Sequence, residues 1–317
     1  MTGVSGSGKS SLVSDALVEL VASHLGHRTA SVEDDGDEPD QEPTAPIRGR
    51  IAGGLEGLKR LVVVDQKPIG RTPRSNLATY TGLFDHVRKL FAATRQAKAR
   101  KYDAGRFSFN VARGRCETCK GEGFVMVELL FLPSVYSPCP ACGGSRYNAK
   151  TLEVEYRGKN IADVLGMTVD AAYEFLADEP HAHRSLGVLR DVGLGYLRLG
   201  QAATELSGGE AQRIKLATEL QRAERGTTLY VLDEPTTGLH PADVERLLAQ
   251  LDGLVGAGNT VVVVEHDLRV VAASDWVIDV GPGAGDEGGR IVTSGRPDEV
   301  AKASRSRTAP YLAAYRG

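Results

Sequence analysis

A glycine-rich segment at residues 3 to 10 has the residue types and spacing of a phosphate-binding loop. Gly3-Val4-Ser5-Gly6-Ser7-Gly8-Lys9-Ser10 matches the pattern G-x-x-x-x-G-K-[ST]. In such a loop, backbone N–H groups wrap the phosphates, the lysine reaches the terminal ones and the last hydroxyl binds Mg²⁺. The residues expected to hold a nucleotide here are Gly3, Ser5, Gly6, Ser7, Gly8, Lys9, Ser10 and Ser11.

Three apolar runs each end in polar side chains that can bind metal or handle protons. They are Leu61 to Val64 before Asp65-Gln66, Leu229 to Leu232 before Asp233-Glu234, and Thr260 to Val264 before Glu265-His266. Because ligands of open α/β sheets bind at the carboxyl ends of the strands, these endings indicate three parallel strands that point at one nucleotide.

This arrangement suggests a role for each group. Asp233 would hold Mg²⁺ through water, together with the hydroxyl of Ser10, and Glu234 would orient and deprotonate the attacking water. Gln66 would sense the metal and the γ-phosphate, which His266 would contact. For His266 alone, a hydrogen-bonded core histidine is the stronger interpretation, but its place at a strand end beside the other two favours function.

A helix whose N-terminus could bind an anion is predicted before the second apolar run, Leu229 to Leu232. Ser207 followed by Glu210 is the pattern of a capping box, so Gly208-Gly209 would open a helix with free N–H groups and a positive dipole end. We therefore add Ser207, Gly208 and Gly209 to the expected nucleotide contacts.

The elements that position the first loop are only partly present. Apolar residues from Leu12 to Val21 recur at helical spacing, which predicts a helix behind the loop. A phosphate loop is normally fed by a buried strand, yet two residues stand before Gly3, so we expect that strand to be missing.

Composition sets the class of protein. The chain has 317 residues, of which 41% are hydrophobic and 25% charged, and its net charge is -3. No run approaches the ~18 apolar residues of a membrane span. With no secretory signal either, a cytoplasmic, reducing location is expected.

The acidic segment from 30 to 46 is predicted to be a disordered loop. Residues 31 to 46 hold seven acidic residues, no basic one and three prolines. A role of this segment in masking a basic groove is less favoured.

Residues 67 to 120 reverse the charge. This segment has thirteen Lys or Arg residues and three acidic ones, a net charge of +10. Such a surface attracts polyanions, and we expect it to contact DNA phosphates, although a merely solvated basic face is the alternative. The residues predicted to contact DNA are Arg71, Arg74, Arg88, Lys89, Arg106, Arg113 and Arg115.

The four cysteines form two C-x-x-C pairs, Cys116 with Cys119 and Cys139 with Cys142. This spacing predicts a zinc ribbon with a hairpin between the pairs, and a redox motif is disfavoured because two complete pairs occur together. Four thiolates leave zinc no open position, so the site would be structural. Aromatic rings beside it, at Tyr136 and within Arg146-Tyr147-Asn148, are expected to stack on exposed bases.

The rest of the chain supplies packing elements. The sequence predicts a strand over 152 to 156, helices over 161 to 165 and 169 to 176, two strands over 277 to 280 and 288 to 292, and a terminal helix within 296 to 317. The predicted domains are residues 1 to 80 and 201 to 317, which form one core, and an insertion over 81 to 200 with its zinc ribbon at 116 to 142.

Taken together, the motifs resemble those of ATP-binding cassette ATPases. The matching segments are Gly3 to Ser10, Gln66, Leu206 to Glu210, Leu229 to Glu234 and His266. More narrowly, residues 65 to 76, 105 to 110, the four cysteines and residues 233 to 240 are similar to the UvrA family of bacterial nucleotide excision repair. The similarity covers nearly the whole chain apart from the acidic stretch, and corresponds to the second, C-terminal cassette of that family.

The resemblance implies an α/β fold: a P-loop ATPase core with a mostly parallel sheet, interrupted by an inserted helical and zinc-ribbon domain. It implies an ATP hydrolase that uses ATP, Mg²⁺ and one structural Zn²⁺, and that recognises damaged double-stranded DNA in excision repair and the SOS response. Implied partners are a second copy or another cassette, and a repair helicase, with no membrane. Cassette ATPases hydrolyse ATP between two modules, so activity would require a head-to-tail homodimer or pairing with another cassette.

Two other interpretations remain open from the sequence. The chain could be a truncated DNA-binding module with little ATPase, because the first strand is expected to be missing. It could also be the ATPase subunit of a membrane transporter, although the zinc ribbon and the +10 segment argue against that.

Overall fold

The computed structural model describes residues 1–26, 49–129, 132–222 and 226–316. The chain divides into two compact units: Met1–Asp65 with Ala223–Gly317 (unit 1), and Gln66–Arg222 (unit 2). The predicted acidic loop at 31 to 46 lies outside the described residues.

Unit 1 begins with the elements that flank the phosphate loop. Strand β1 (Thr2–Gly3) precedes the loop, a π-helical segment (Ser11–Leu17) follows it, and helix α1 (Val18–His24) comes directly after that segment. Strand β2 (Arg60–Val64) comes next. We expected the strand that feeds the loop to be missing, but the two-residue strand β1 is present there and pairs with a later strand.

Unit 2 is made of short helices and one hairpin. Its elements are α2 (Leu77–Tyr80), α3 (Leu83–Ala93), α4 (Arg95–Ala99), a 3₁₀ turn (Ala104–Phe107), β3 (Phe124–Leu129), β4 (Leu132–Pro138), α5 (Ala149–Leu152), α6 (Ile161–Gly166), α7 (Val169–Phe175), α8 (Pro180–Asp191), a second 3₁₀ turn (Ala203–Glu205) and α9 (Gly208–Arg222). Many of these helices begin where an Asn, Thr or Asp side chain accepts a backbone N–H, as Asn76 does for α2 and Asn160 for α6. Local caps therefore set the boundaries of these short helices.

The chain then returns to unit 1. The elements of this second part are β5 (Thr228–Asp233), α10 (Pro241–Gly256), β6 (Thr260–Val264), α11 (Leu268–Ala273), β7 (Val277–Gly281), a 3₁₀ turn (Gly285–Glu287), β8 (Arg290–Gly295), α12 (Pro297–Val300) and α13 (Ala309–Arg316). The strands predicted over 277 to 280 and 288 to 292 are confirmed as β7 and β8.

The strands of unit 1 form two ladders. In one, β2, β5 and β6 are parallel neighbours, as the three apolar runs predicted. In the other, β1 pairs parallel with β7, and β8 pairs antiparallel with β7. Met1 joins them, because its amino group donates to Val263 O (2.5 Å) and its carbonyl accepts from Glu265 N (2.9 Å). The order across the sheet is therefore β2-β5-β6-β1-β7-β8, and the predicted α/β fold with a mostly parallel sheet is confirmed.

Apolar packing holds this sheet in place. Val13, Val18 and Val21 of the helix after the loop pack with Leu229 and Val231 of β5 in one buried cluster. A second cluster joins α11, β7, α12 and α13 through Val271, Val277, Val300 and Leu312. Burying each of these aliphatic side chains contributes about 1.5–3 kcal/mol, so the loop sits on a well-anchored helix.

The predicted domain boundaries at 80 and 200 differ from those of the compact units. Helix α2 and the predicted anion-seeking helix α9 both fall in unit 2, where α9 packs against α2 and α8. The buried side of α9, which includes Ile214, Leu216 and Ala217, is covered by these neighbours. Helix α9 therefore shares a compact unit with the residues predicted to form the insertion.

Two local predictions were wrong. Residues 152 to 156 do not form a strand: α5 ends at Leu152, and only Tyr156 makes an isolated bridge, to Lys159. The single helix predicted within 296 to 317 is two helices, α12 and α13. Among the described residues, none of the helices combines the length and apolar character needed to cross a bilayer.

Candidate functional site

The ammonium of Lys9 lies inside the phosphate loop. Its Nζ donates to Gly3 O (3.2 Å) and Val4 O (2.8 Å), and the residue is only 5% exposed. Burial lowers the pKa of Lys9 below its ordinary value, while the nearby carboxylates of Glu234 and Asp233 act in the opposite direction. The lysine is thus held in one place by the loop and attracted to the acidic strand end.

The glycines of the loop are required by its shape. Gly3 has φ +134°, and a Cβ on it would lie 2.0 Å from Val280 O, so no other residue fits between the paired strands β1 and β7. Gly6 (φ +75°) and Gly8 (φ +88°) also adopt the left-handed backbone that favours glycine. The loop therefore has the conformation that its sequence pattern predicts.

The acidic end of β5 faces the loop. Ser10 Oγ is 3.4 Å from Asp233 Oδ1, which brings together the two groups predicted to hold Mg²⁺. His266 Nε2 is 3.6 Å from Glu234 Oε1. Hydroxyl and carboxylate oxygens are suitable ligands for this hard cation, so the residues present fit the metal.

Residues of the phosphate loop line one cavity of about 280 Å³ together with Glu234 and His266. Its lining residues are Ser5, Gly6, Gly8, Lys9, Ser10, Ser11, Glu234 and His266. The cavity brings glycine-loop backbone, a cation, a carboxylate and an imidazole into one place. Groups of these types can bind a phosphoanhydride and activate a water molecule beside it.

Sequence reasoning gave no role to Glu265, which the structure buries next to His266. This residue is 4% exposed, and its carboxylate accepts from Thr236 N (2.9 Å), Thr236 Oγ1, His266 N (2.7 Å) and Asp267 N (3.0 Å). The sequence placed Glu265 at the end of a strand, but nothing in it indicated that Thr236 would be its partner.

A glycine-rich turn between β7 and β8 donates hydrogen bonds to the backbone of the phosphate loop. This contact was not predicted from the sequence. Gly285 N donates to Gly6 O (3.1 Å) and Gly289 N donates to Ser7 O (2.9 Å). A Cβ on Gly288 would lie 3.1 Å from the Cα of Ser7. The glycine content of residues 281 to 289 was the available signal, because close backbone approach is one reason for glycine.

The remaining nucleotide contacts predicted from the sequence belong to unit 2. Ser207 and Glu210 form the predicted capping box, since Glu210 N donates to Ser207 Oγ (3.3 Å) and Ser207 N to Glu210 Oε2 (2.7 Å). Gln66 lies against the start of the same helix: a Cβ on Gly208 would be 3.2 Å from Gln66 Cβ. Gly208 and Gly209 open α9 as expected.

The four cysteine sulfurs of unit 2 converge. All four Sγ atoms lie within 4.8 Å of one another, with 4.0 Å between Cys116 and Cys139 and 3.7 Å between Cys119 and Cys142. Tetrahedral zinc with Zn–S bonds of about 2.3 Å requires sulfurs about 3.8 Å apart, so the spacing fits one structural zinc ion. The hairpin predicted between the pairs is formed by β3 and β4.

The residues expected to stack on bases divide into two kinds. Tyr136 is 48% exposed and keeps that possibility, but Tyr147 is only 1% exposed, so the prediction was wrong for this ring. The neighbouring Arg146 is also buried, at 4% exposed. Tyr147 donates its hydroxyl to Phe107 O (2.8 Å), and burial raises its pKa well above the ordinary value. These side chains face inward because they fill the core beside the cysteines.

Arg146 instead links segments within unit 2. Its Nη1 donates to Pro73 O (2.8 Å), its Nη2 donates to Gly200 O (3.1 Å), and its guanidinium lies 5.1 Å from the ring centroid of Phe109. The backbone of Arg146 also accepts from Cys116 N (2.9 Å). The cysteine site is therefore connected to the basic loop around residue 73.

At least five of the seven cations predicted to contact DNA already bond to groups of unit 2. The bonds are those of Arg74 to Glu122, Arg88 to Asp85, Arg106 to Thr151 and Asn148, Arg113 to Asp103, and Arg115 to the carbonyl of Asn110. Arg71 and Lys89 are exposed. These bonds do not remove the cations from the surface, since the side chain of Arg113 is still 71% exposed; contact with DNA stays a prediction.

The sequence was compared with known proteins. No protein-family model matches the chain. UvrABC system protein A of Neisseria meningitidis serogroup A is 54% identical over 312 residues, which is 98% of this chain and 31% of that protein. The protein of the same name from Streptomyces avermitilis is 55% identical over 313 residues, which is 98% of this chain and 30% of that protein.

A solved structure is similar over nearly the same range. The crystal structure of UvrA2 from Deinococcus radiodurans superposes with a TM-score of 0.87 at 68% identity, over 99% of this chain and 36% of that one. The chain is homologous to UvrA. It spans about a third of the length of the UvrA proteins that it matches.

Proposed function

We propose that the chain is an ATP-hydrolysing cassette of a UvrA-like protein, which acts in DNA-damage recognition during bacterial nucleotide excision repair. The homology to UvrA over nearly the whole chain supports this assignment and does not favour a transporter subunit. The finer proposal is that the chain corresponds to the second, C-terminal cassette, because residues 65 to 76, 105 to 110, the four cysteines and residues 233 to 240 resemble that cassette.

The observation that carries the enzymatic proposal is the cavity shared by the phosphate loop and the end of β5. Lys9, Ser10, Glu234 and His266 line it together, although they come from three separate parts of the sequence. A cation, a hydroxyl, a carboxylate and an imidazole that meet beside a glycine loop form a constellation specific to phosphoryl chemistry.

Each side chain then has a definite task in hydrolysis. Lys9 offsets the charge of the terminal phosphates, and Ser10 with Asp233 would hold Mg²⁺, which neutralises developing negative charge when bound. Glu234 orients the attacking water and accepts its proton. His266, beside Glu234, donates to the γ-phosphate.

Hydrolysis is proposed to require two cassettes. Ser207, Gly208 and Gly209 present N–H groups at the start of α9, and they would complete the phosphate site of a second copy or another cassette, with Gln66 sensing the metal there. The expected result is an ATPase rate per chain that rises with protein concentration. A monomer with a concentration-independent rate would contradict a composite site.

Unit 2 is proposed to bind double-stranded DNA through its cationic surface. Its segment from 67 to 120 has a net charge of +10, while the zinc module braces the loop around residue 73. Phosphate contacts and duplex deformability would be recognised, so the affinity should fall steeply with salt and depend little on sequence. The repair helicase partner, the SOS connection and the cytoplasmic location implied by the UvrA resemblance complete the proposal.

Lys9→Ala and Glu234→Gln test the enzymatic part. Removal of the Lys9 ammonium costs a charged hydrogen bond of about 1.5–3 kcal/mol, which corresponds to about a ten- to hundredfold loss in ATP affinity. Glu234→Gln removes the base and should lower kcat by about a hundredfold or more while ATP still binds. Titration with a fluorescent ATP analogue and steady-state phosphate release measure the two effects.

Lys59→Ala is the matched control, because Lys59 is an exposed lysine of the same unit outside the cavity. Its affinity and rate should equal those of the unaltered chain. Equal ATP affinity in Lys9→Ala and Lys59→Ala would contradict the nucleotide site.

A further inference from the structure

The ends of β5 and β6 are held together by one buried carboxylate, that of Glu265. Glu234 follows β5 and His266 follows β6, so the distance between these two side chains depends on how the two strand-end loops are fixed to each other. Glu265 is the residue whose side chain reaches both loops.

The hydrogen bonds divide evenly between the two oxygens of this carboxylate. Oε1 accepts from the backbone N–H and the hydroxyl of Thr236, and Oε2 accepts from the backbone N–H groups of His266 and Asp267. A carboxylate offers about four lone-pair sites and no donor, so all of its capacity is used. An amide in the same place would turn one NH₂ group towards two donors.

The backbone around Glu234 needs such support. Glu234 has φ +47°, a left-handed conformation that costs an ordinary residue about 1–2 kcal/mol and persists only where its surroundings fix it. Glu234 N donates to Val264 O (2.8 Å), and Thr237 N donates to Glu234 O (3.1 Å). The two hydrogen bonds from Thr236 to the Glu265 carboxylate hold this turn two residues after Glu234.

The backbone of Glu265 is itself anchored. Its N–H donates to Met1 O (2.9 Å), which ties the strand end to the sheet beside β1. The side chain is 4% exposed, so water competes little for its oxygens. The carboxylate therefore acts from a fixed position.

We propose that Glu265 is the positioning residue that sets the geometry between Glu234 and His266 in the ATPase cavity. This inference rests on the proposed ATPase function. Glu265 touches neither nucleotide nor water in this role: it acts through Thr236 and through the backbone of His266. A displacement of about 1 Å in a catalytic group can cost about a hundredfold in rate, so loss of this contact should affect kcat more than ATP affinity.

Glu265→Gln is the decisive variant because it keeps the size of the side chain and removes one acceptor. We expect kcat to fall by about ten- to a hundredfold, whereas ATP affinity, which depends on the loop around Lys9, changes by less than about threefold. Hydrogen–deuterium exchange of peptides covering 234–237 and 265–268 should become faster, since three of their N–H groups lose a charged acceptor.

Asn259→Ala is the matched control. Asn259 is 6% exposed and joins the opposite ends of the same two strands, because it precedes β6 and its side chain accepts from Thr228 N of β5 (3.3 Å). It also donates to Leu254 O of α10 (3.1 Å). This variant should lower the melting temperature without changing kcat or the exchange of 234–237. A merely structural role for Glu265 would make the two variants behave alike.

The outcomes separate this inference from the proposed function. If Glu265→Gln retains the kcat of the unaltered chain, or loses it only in proportion to unfolding as Asn259→Ala does, the positioning role is wrong. If the unaltered chain does not hydrolyse ATP at any concentration, the proposed function fails. The exchange measurement then still decides whether Glu265 holds the two loops: unchanged exchange at 234–237 and 265–268 would overturn this inference too.

Discussion

The two units of this chain use different physical means to place their functional groups. In unit 1, strand ends of one sheet bring Lys9, Asp233, Glu234 and His266 together, and aliphatic packing behind the sheet keeps them there. In unit 2, four cysteines converge at the base of the β3–β4 hairpin, and a buried arginine, Arg146, links the segments.

This difference determines what each unit depends on. A parallel sheet fixes its side chains through register, so the site of unit 1 depends on backbone geometry at a few close approaches. Short helices and a two-stranded hairpin have little regular backbone to share, so unit 2 depends on side-chain links and on the metal that its thiolates fit. We expect each unit to be sensitive to a change that the other tolerates.

Removal of zinc is expected to have the largest effect, and it tests whether the two units depend on different features. Structural zinc contributes about 10–16 kcal/mol of binding free energy in small zinc domains, so chelation in excess Mg²⁺ should disorder the region from 107 to 147 and leave ATP binding in unit 1 intact. Limited proteolysis and titration with a fluorescent ATP analogue would measure both. Cys116→Ser should act like the chelator, whereas Thr118→Ala, between the first two ligands, should not. Equal loss of ATP affinity would contradict the independence of the two sites.

Gly3→Ala is the converse test, in unit 1. A Cβ would lie 2.0 Å from Val280 O, so β1 would separate from β7 and the phosphate loop would lose its anchor. We expect a loss of about 3 kcal/mol or more in stability, with loss of ATP binding and no change in zinc content. Gly26→Ala is the control, because Gly26 also has positive φ (+69°) but has open space around it, and it should cost only about 1 kcal/mol. Normal ATP binding by Gly3→Ala would show that the close approach is not required.

The smallest effect concerns the cations of unit 2. Lys89 is exposed, so Lys89→Ala should weaken DNA binding for all sequences and reduce the slope of log K against log salt by about 1, without changing stability. Arg106 donates to Thr151 (2.9 Å) and Asn148 (3.3 Å), so Arg106→Ala should instead lower the stability of unit 2. Fluorescence anisotropy at several salt concentrations, beside thermal melts, distinguishes the two. The interpretation fails if both variants change only the salt slope.

Much of unit 1 was predictable because its motifs are local. The phosphate loop follows from eight consecutive residues, and each apolar run before a polar ending gave a strand in its predicted place. The cysteine pairs were equally informative, since their spacing reflects the geometry of a tetrahedral site. In these cases the chemical requirement is written into neighbouring residues.

Burial of polar side chains was not predictable in the same way. Tyr147 was expected to stack on exposed bases, yet it lies in the core, where its hydroxyl donates to the carbonyl of Phe107. Arg146 beside it is buried too, and its guanidinium donates to the carbonyl of Pro73. The count of positive charge in 67 to 120 gave no information about which arginines bond to the protein itself. Such partners come from distant parts of the chain.

The sequence by itself determined the chemistry of this protein: a glycine loop with its lysine, three strands that end in polar groups, and four thiols for one metal. Only the tertiary structure decided which residues hold that chemistry in place. Glu265 joins Thr236 to His266, and the turn at Gly285 and Gly289 backs the phosphate loop, because folding brings together groups that lie far apart in the chain. Hydrogen bonds require distances near 3 Å, and sequence spacing does not specify such distances between remote residues.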